Sequence, residues 1–233
     1  MKTAIISDIH SNPSDLDSIS FVELELGNKE HLEKFADFYE NVFAKNFAYD
    51  EIGSMQAYID LKEADEKDSH TYHLTFCEKD GRFIGCFIFM CFPQINSMVG
   101  EFACVDSPFR GQGIASTLIH NSLAAHPCDW LFGEVEKDNL PNLAGWQRFG
   151  FRKIPVDYTQ LSLGEGRKAV DNMFLCVNPV IPSNWISSQL VRDFVYHYYK
   201  FSQSCPSPET NDEFVRLKDR CRRVPSFELE NLV

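Results

Sequence analysis

The stretch Val105-Asp106-Ser107-Pro108-Phe109-Arg110-Gly111-Gln112-Gly113-Ile114-Ala115 limits what this chain can fold into more than any other, because of what flanks it. A strand-like run, Asn96 to Val105, precedes it, and a helix-like run, Ser116 to Ala125, follows. Glycine allows the backbone to turn tightly and to approach a ligand closely. The helix beyond the turn aims its unsatisfied N–H groups and the positive end of its dipole at the same point. Together these make an anion site suited to a pyrophosphate, and Arg110 adds a fixed positive charge beside it. The plain alternative is a glycine-containing strand–helix turn that binds nothing. Arg-Gly-x-Gly at such a junction favours the ligand.

Three nucleotide-binding readings compete for this loop. A P-loop ends in Gly-Lys-Ser/Thr, whereas this loop ends Gly113-Ile114-Ala115, so it is excluded. A dinucleotide fingerprint needs a third glycine where Ser116 stands, and it belongs early in a parallel βαβ unit. Here the loop follows residues that read mostly as hairpin-linked strands. The third reading is a resemblance. Arg110-Gly111-Gln112-Gly113-Ile114-Ala115 matches the Arg/Gln-x-x-Gly-x-Gly/Ala acetyl-CoA loop of the GNAT superfamily of N-acetyltransferases. A second segment is similar to the same family. Val135-Glu136-Lys137-Asp138-Asn139, then Ala144-Gly145-Trp146-Gln147-Arg148-Phe149-Gly150-Phe151, looks like its strand, Asn, short aromatic-bearing helix and Gly-Phe entry to the next strand. The resemblance covers roughly residues 19–179.

The resemblance implies a mixed α/β (α+β) GNAT fold: a central, mostly antiparallel twisted sheet flanked by helices. It also implies an acetyl-CoA-dependent N-acyltransferase acting on an amine of a small molecule or protein. Main-chain groups of Ala103, Cys104 and Val105 would pair with the pantetheine arm. Backbone amides of Phe109, Arg110, Gly111, Gln112, Gly113, Ile114 and Ala115 would take the pyrophosphate, and Asn139 would touch the pantetheine side. Deprotonating the amine needs a carboxylate or His near the cleft. Glu101 occupies a common base position on the fourth strand, with Glu134 and Glu136 as substitutes on the next; each could equally be a solvated strand residue. His73 and His120 are weaker candidates. The family's usual general-acid Tyr is replaced by Trp146, which can pack against pantetheine but is no practical acid. That departure keeps a second reading open, a catalytically weak acyl-CoA-binding module of the same fold.

Periodicity fills in the rest. Ile19–Leu26 reads as a half-buried strand, Lys29–Lys45 and Ile52–Ala64 as helices, and Thr71–Cys77 and Phe83–Phe92 as strands joined by an Asp80-Gly81 hairpin turn. Trp130–Val135 reads as a strand, Pro141–Phe149 as a short helix, and Phe151–Tyr158 and Met173–Val177 as closing strands. Pro179 and Pro182 then punctuate the chain. This divides it into an N-terminal segment 1–17, an acetyltransferase domain 18–180 and a C-terminal helical extension 181–233, with helices over Ser188–Phe201 and Asp212–Arg222. The extension could cap the cleft, pack on the back or make a homodimer contact. Its Tyr196, Tyr198 and Tyr199 suit cleft lining or ordinary helix packing.

Composition removes other classes. A net charge of −12 argues against nucleic acid, and no apolar run reaches the ~18 residues of a membrane span. The start meets Asp8 and His10 too soon for a signal peptide. Eight cysteines without a C-x-x-C pair read as reduced core residues of a cytoplasmic protein, and no clustered ligands suggest a metal. Asp8-x-His10 resembles the opening of calcineurin-like metallophosphoesterases, but the other motifs of that family are missing. It stands as a distant third reading, beside a plain added strand.

Overall fold

The structure, a computed structural model, describes residues 19–47, 53–65, 69–161, 169–203 and 205–233. The Asp8-x-His10 segment lies outside the described residues. Seven strands form one sheet: β1 (Ser20–Glu23), β2 (Thr71–Lys79), β3 (Arg82–Phe92), β4 (Ser97–Val105), β5 (Trp130–Glu136), β6 (Arg152–Lys153) and β7 (Met173–Pro179), in the order β1-β2-β3-β4-β5-β7-β6. Every pairing is antiparallel except β4 with β5. The β2–β3 hairpin closes at the Asp80-Gly81 pair, with φ of 51° and 77°. Positive φ at both central residues suits the right-handed twist of the strands they join.

Helices cover both faces. On one lie α1 (Lys29–Phe38), α2 (Met55–Glu63), α5 (Ser188–Phe201) and α6 (Asp212–Arg223); on the other lie α3 (Ile114–Ala125) and α4 (Leu140–Arg148). A two-stranded ribbon, β8 (Trp185–Ser187) with β9 (Ser226–Glu228), joins the C-terminal helices. The first face packs Phe35, Phe38, Tyr58 and Phe194 on Phe76 and Phe132. The second packs Ile114, Leu118 and Leu143 on Phe87, Phe89 and Phe151. Being covered on both sides makes Phe83–Met90 a continuous buried run rather than an alternating one.

Several elements differ in extent from the sequence reading. The helix from Lys29 passes at Phe38 into a five-residue π segment, Tyr39–Phe43, and ends with Ala44–Asn46. The second helix starts at Met55, capped by the Ser54 hydroxyl; Ile52 lies outside the described residues. The expected strand Phe151–Tyr158 shrinks to Arg152–Lys153, because Pro155 has no N–H to give a ladder. The C-terminal extension is no loose appendage: Phe194 of α5 stacks on Phe132 of β5, ring centroids 3.7 Å apart and planes within 4°. Among the described residues no helix is long and apolar enough to cross a membrane.

Candidate active site

The sheet splits between its two parallel strands. β4 and β5 are paired from Ser97/Trp130 only as far as Gly100/Gly133, after which each continues with its other neighbour. Gly100 is required at the fork: a Cβ there would stand 2.8 Å from the Phe87 ring. The next residue, Glu101, is a β-bulge, since Ile88 pairs with Phe102 while Phe89 pairs with Gly100. A bulge re-aims one side chain and loosens the ladder. The fork therefore has a carboxylate on each arm, Glu101 and Glu134.

Both carboxylates are held by side chains from distant parts of the chain. Glu101 accepts hydrogen bonds from the Tyr72 hydroxyl at 2.7 Å and from the Ser202 hydroxyl. Glu134 accepts from the Tyr198 hydroxyl at 2.9 Å, Gln160 Nε2 at 2.8 Å, Gln203 Nε2 at 3.2 Å and the Tyr158 hydroxyl. The Gln203 carbonyl is itself fixed by Leu161 N–H at 2.6 Å, which decides which end of the amide faces Glu134. Burial pushes the Glu134 carboxyl up to about 7, against the pull of its donors from Tyr158, Tyr198 and Gln203, and the Glu101 charge adds to the push. Burial and the neighbouring carboxylates also raise the Tyr72, Tyr158 and Tyr198 phenols well above their ordinary value, so all three keep their protons.

The glycine turn lies just beyond the end of β4. Gly111 and Gly113 have φ of 77° and 79°, and Gly113 is the N-cap of α3. No side-chain cap hydrogen bond satisfies the first-turn N–H groups of that helix. Arg110 folds back instead of reaching outward: Nε donates to the Val105 carbonyl at 2.9 Å and its Nη2 donates to Asn46 Oδ1. Lys79 and Arg82 sit over the Phe109 ring, 5.7 Å and 5.5 Å from its centroid, and add positive charge to the loop. Gln112 Nε2 donates to the Pro108 carbonyl at 3.3 Å. Ile114 starts the helix and is buried in the core, Ala115 follows it, and Ala103, Cys104 and Val105 lie on the β4 arm.

The remaining candidates divide. Glu136 is exposed and accepts from Asn139 Nδ2 at 3.1 Å. Asn139 caps α4, its Oδ1 taking the Asn142 N–H at 3.3 Å. Trp146 packs edge-on to Phe151 with centroids 4.5 Å apart. His120 is exposed on α3, and His73 is buried on β2 against Phe89. Tyr199 donates to the Thr159 carbonyl and Tyr196 packs beside Phe214, so of the three clustered tyrosines Tyr198 alone bonds to a site carboxylate. Sequence reasoning missed Tyr72, Tyr158, Gln160, Ser202 and Gln203. For Tyr198 the sequence suggests packing or cleft lining, not a bond to a carboxylate. The sequence also suggests no clustered metal ligands, whereas folding brings His73, Cys91 and His126 together.

The family model for the acetyltransferase (GNAT) family matches residues 33–151. A solved GNAT-family protein from Bacteroides thetaiotaomicron superposes with a TM-score of 0.59 at 16% identity, covering 78% of this chain and 96% of that one. Another, from Desulfovibrio desulfuricans, gives 0.51 at 15% identity, covering 70% of this chain and 99% of that one. No curated protein matches the sequence.

Proposed function

The chain belongs to the GNAT acetyltransferase family, and from that membership we propose that it transfers the acetyl group of acetyl-CoA to an amine held at the fork between β4 and β5. The observation that carries the proposal is this fork, with a carboxylate on each arm and an uncapped glycine-turn helix at its mouth. The co-substrate supplies an activated thioester. First-turn amides of α3, with the turn Phe109–Ala115, bind its pyrophosphate, helped by the helix dipole. Past Gly100 the edge of β4 facing β5 is open, so the main chain of Ala103–Val105 can take the amide-rich arm as an added strand. Asn139 acts on this side through the α4 cap it forms, and Trp146 through packing.

An amine attacks a thioester only when neutral, so the site needs a base. Glu134, held near 7 by burial, is matched to that task at neutral pH. Glu101 is its like-charged neighbour and keeps it there. Glu136 is exposed and accepts from Asn139, and is not assigned as the base. The eight cysteines are all free, which fits a reducing compartment such as the cytoplasm.

Incubating the full chain with acetyl-CoA and a panel of amines, with thiol release as the readout, tests the activity. The kcat/KM profile for the accepted amine rises with pH through about 7 if Glu134 is the base. Glu134→Gln then loses about 10²–10⁴ in rate and with it that limb. Glu101→Gln keeps the limb but moves it to lower pH, since a like charge is gone. CoA binding without thiol release from any amine would replace the transferase reading by a binding module. A fully active Glu134→Gln would remove the base assignment.

A further inference from the structure

The C-terminal end of α3 carries a second cluster, unrelated to the fork. His73 on β2, Cys91 on β3 and His126, the C-cap of α3, each place a ligand atom within 4.8 Å of the others. Twelve helical residues separate His126 from the glycine turn, about 18 Å at 1.5 Å per residue. We propose that these three side chains bind one zinc-class divalent ion, with Glu23 as the carboxylate that orients both imidazoles.

The surroundings fit that chemistry. A metal-bound imidazole almost always gives its second ring nitrogen to a carboxylate or carbonyl, which fixes its tautomer and direction. Glu23 does this for His73 by a hydrogen bond and stands at ion-pair distance from His126. Its Oε1 lies 2.8 Å from His73 Nδ1 and its Oε2 lies 3.6 Å from His126 Nε2. His73 Nε2 is thereby turned inward, where Thr71 Oγ1 meets it at 2.8 Å. Thr71 is the β2 residue paired across from Cys91, so the imidazole and the thiol converge. The His73 ring is clamped by stacking on Phe89, at 4.8 Å and 15°. The His126 ring stands 4.0 Å from it, at the C-cap of the helix, where its part-exposed side chain can rotate.

Tetrahedral zinc with nitrogen and sulfur ligands needs donor atoms about 3.3–3.6 Å apart, from bond lengths near 2.0–2.3 Å. The cluster must therefore close by about 1 Å, a side-chain adjustment. Two imidazoles and a thiolate form a borderline-soft set that selects zinc over magnesium or calcium, the Cys91 thiol releasing its proton to solvent as the ion binds. Lys62 at 3.1 Å from Glu23 Oε1 offsets the carboxylate, so the thiolate is the charge the ion sees most directly. Glu23 and His126 also line a cavity of about 170 Å³ between β1 and α3. That cavity gives an ion its way in, and a water or small ligand there can fill the fourth position. Because β1, β2, β3 and α3 all contribute, the ion would pin the edge of the sheet to the helix that carries the glycine turn.

The test uses the full chain, stripped with a chelator and titrated with Zn²⁺ against a chromogenic competitor, and with Co²⁺ as a spectroscopic probe. One Zn²⁺ per chain should bind, and Co²⁺ should give a thiolate-to-metal charge-transfer band with tetrahedral visible bands. Cys91→Ser should abolish the charge-transfer band, and His126→Ala should weaken zinc binding by at least 100-fold. Glu23→Gln should keep the band while weakening binding 10–100-fold. Cys205→Ser, outside the cluster, should behave as the parent does. Since His126 is part-exposed at a helix end, its variant is expected to fold, and circular dichroism of the stripped proteins checks this. No stoichiometric zinc in the parent, or a charge-transfer band that survives Cys91→Ser, overturns the proposal. If His126→Ala does not fold, Cys91→Ser alone decides by the same band.

Discussion

Replacing Glu134 by Gln should change how stability depends on pH. The native carboxyl holds its proton to about pH 7, against 4.5 in its ordinary state. Between those values the folded chain binds more protons than the unfolded one, so stability falls as pH rises and levels off above about 7. At about 1.36 kcal/mol per pH unit, the difference between about 7 and 4.5 amounts to about 3 kcal/mol, most of which falls between pH 5 and 8. Glutamine keeps the shape and carries no charge to bury. Its amide turns one donor towards a partner, and the Tyr158 and Tyr198 hydroxyls can rotate to accept it. Urea unfolding of both proteins at pH 5, 6, 7 and 8 measures the effect. The stability difference should move by about 2–3 kcal/mol in favour of Glu134→Gln across that range. If the two curves run parallel, the charged form of Glu134 is as well solvated in the folded protein as outside it. The four donors would then outweigh burial, and the case for a base poised near neutrality fails with it.

Three further outcomes are expected. Gly113→Val puts a β-branched residue at φ 79° in the turn and should weaken CoA binding at least tenfold by calorimetry (about 1.4 kcal/mol); unchanged affinity in a folded variant would remove the loop from the site. Tyr198→Phe deletes one of the four hydrogen bonds to Glu134, so the pH-rate limb should shift upward; a limb that stays in place dissociates Glu134 from it. Phe194→Ala empties the stacked contact with Phe132 and should cost about 3–5 kcal/mol in chemical denaturation, with loss of both the extension and the fork; a loss below about 1 kcal/mol would mean that the extension packs only loosely.

What was legible in the sequence follows a physical line. The glycine turn could be read because positive φ at Gly111 and Gly113 is a local demand that few residues meet. The Asp80-Gly81 hairpin could be read for the same reason, and the helices because their apolar stripes repeat. Glu101 and Glu134 were named from their places on strands. What decides between them, and against Glu136, is the company each keeps, and that company is not local. Glu134 meets Gln160, Tyr198 and Gln203 only once the chain has folded back on itself, and Ser202 meets Glu101 across 101 positions. No periodicity carries such a pairing. The bulge that turns Glu101 into the fork is likewise a property of two strands in register. The same limit hid His73, Cys91 and His126, whose spacing resembles no metal motif.

The C-terminal extension gains a stronger meaning from these contacts than its composition suggested. Tyr198, Ser202 and Gln203 all come from the last turn of α5 or just beyond it, and between them they hold both carboxylates of the fork. The matched family segment ends at residue 151, and the four donors to Glu134, from Tyr158, Gln160, Tyr198 and Gln203, all lie beyond it. A carboxylate near neutrality needs burial and a measured number of donors together. In this chain β4 and β5 supply the carboxylates, and α5 with the residue just past it supplies two of the four donors to Glu134, from Tyr198 and Gln203. Shortening the chain before α5 would therefore expose Glu134, return it towards its ordinary range and leave it ionised but weakly basic at neutral pH. Substitutions in α5 that remove these donors are therefore expected to shift the proton affinity of Glu134, and with it the pH–rate profile that the proposed function would give.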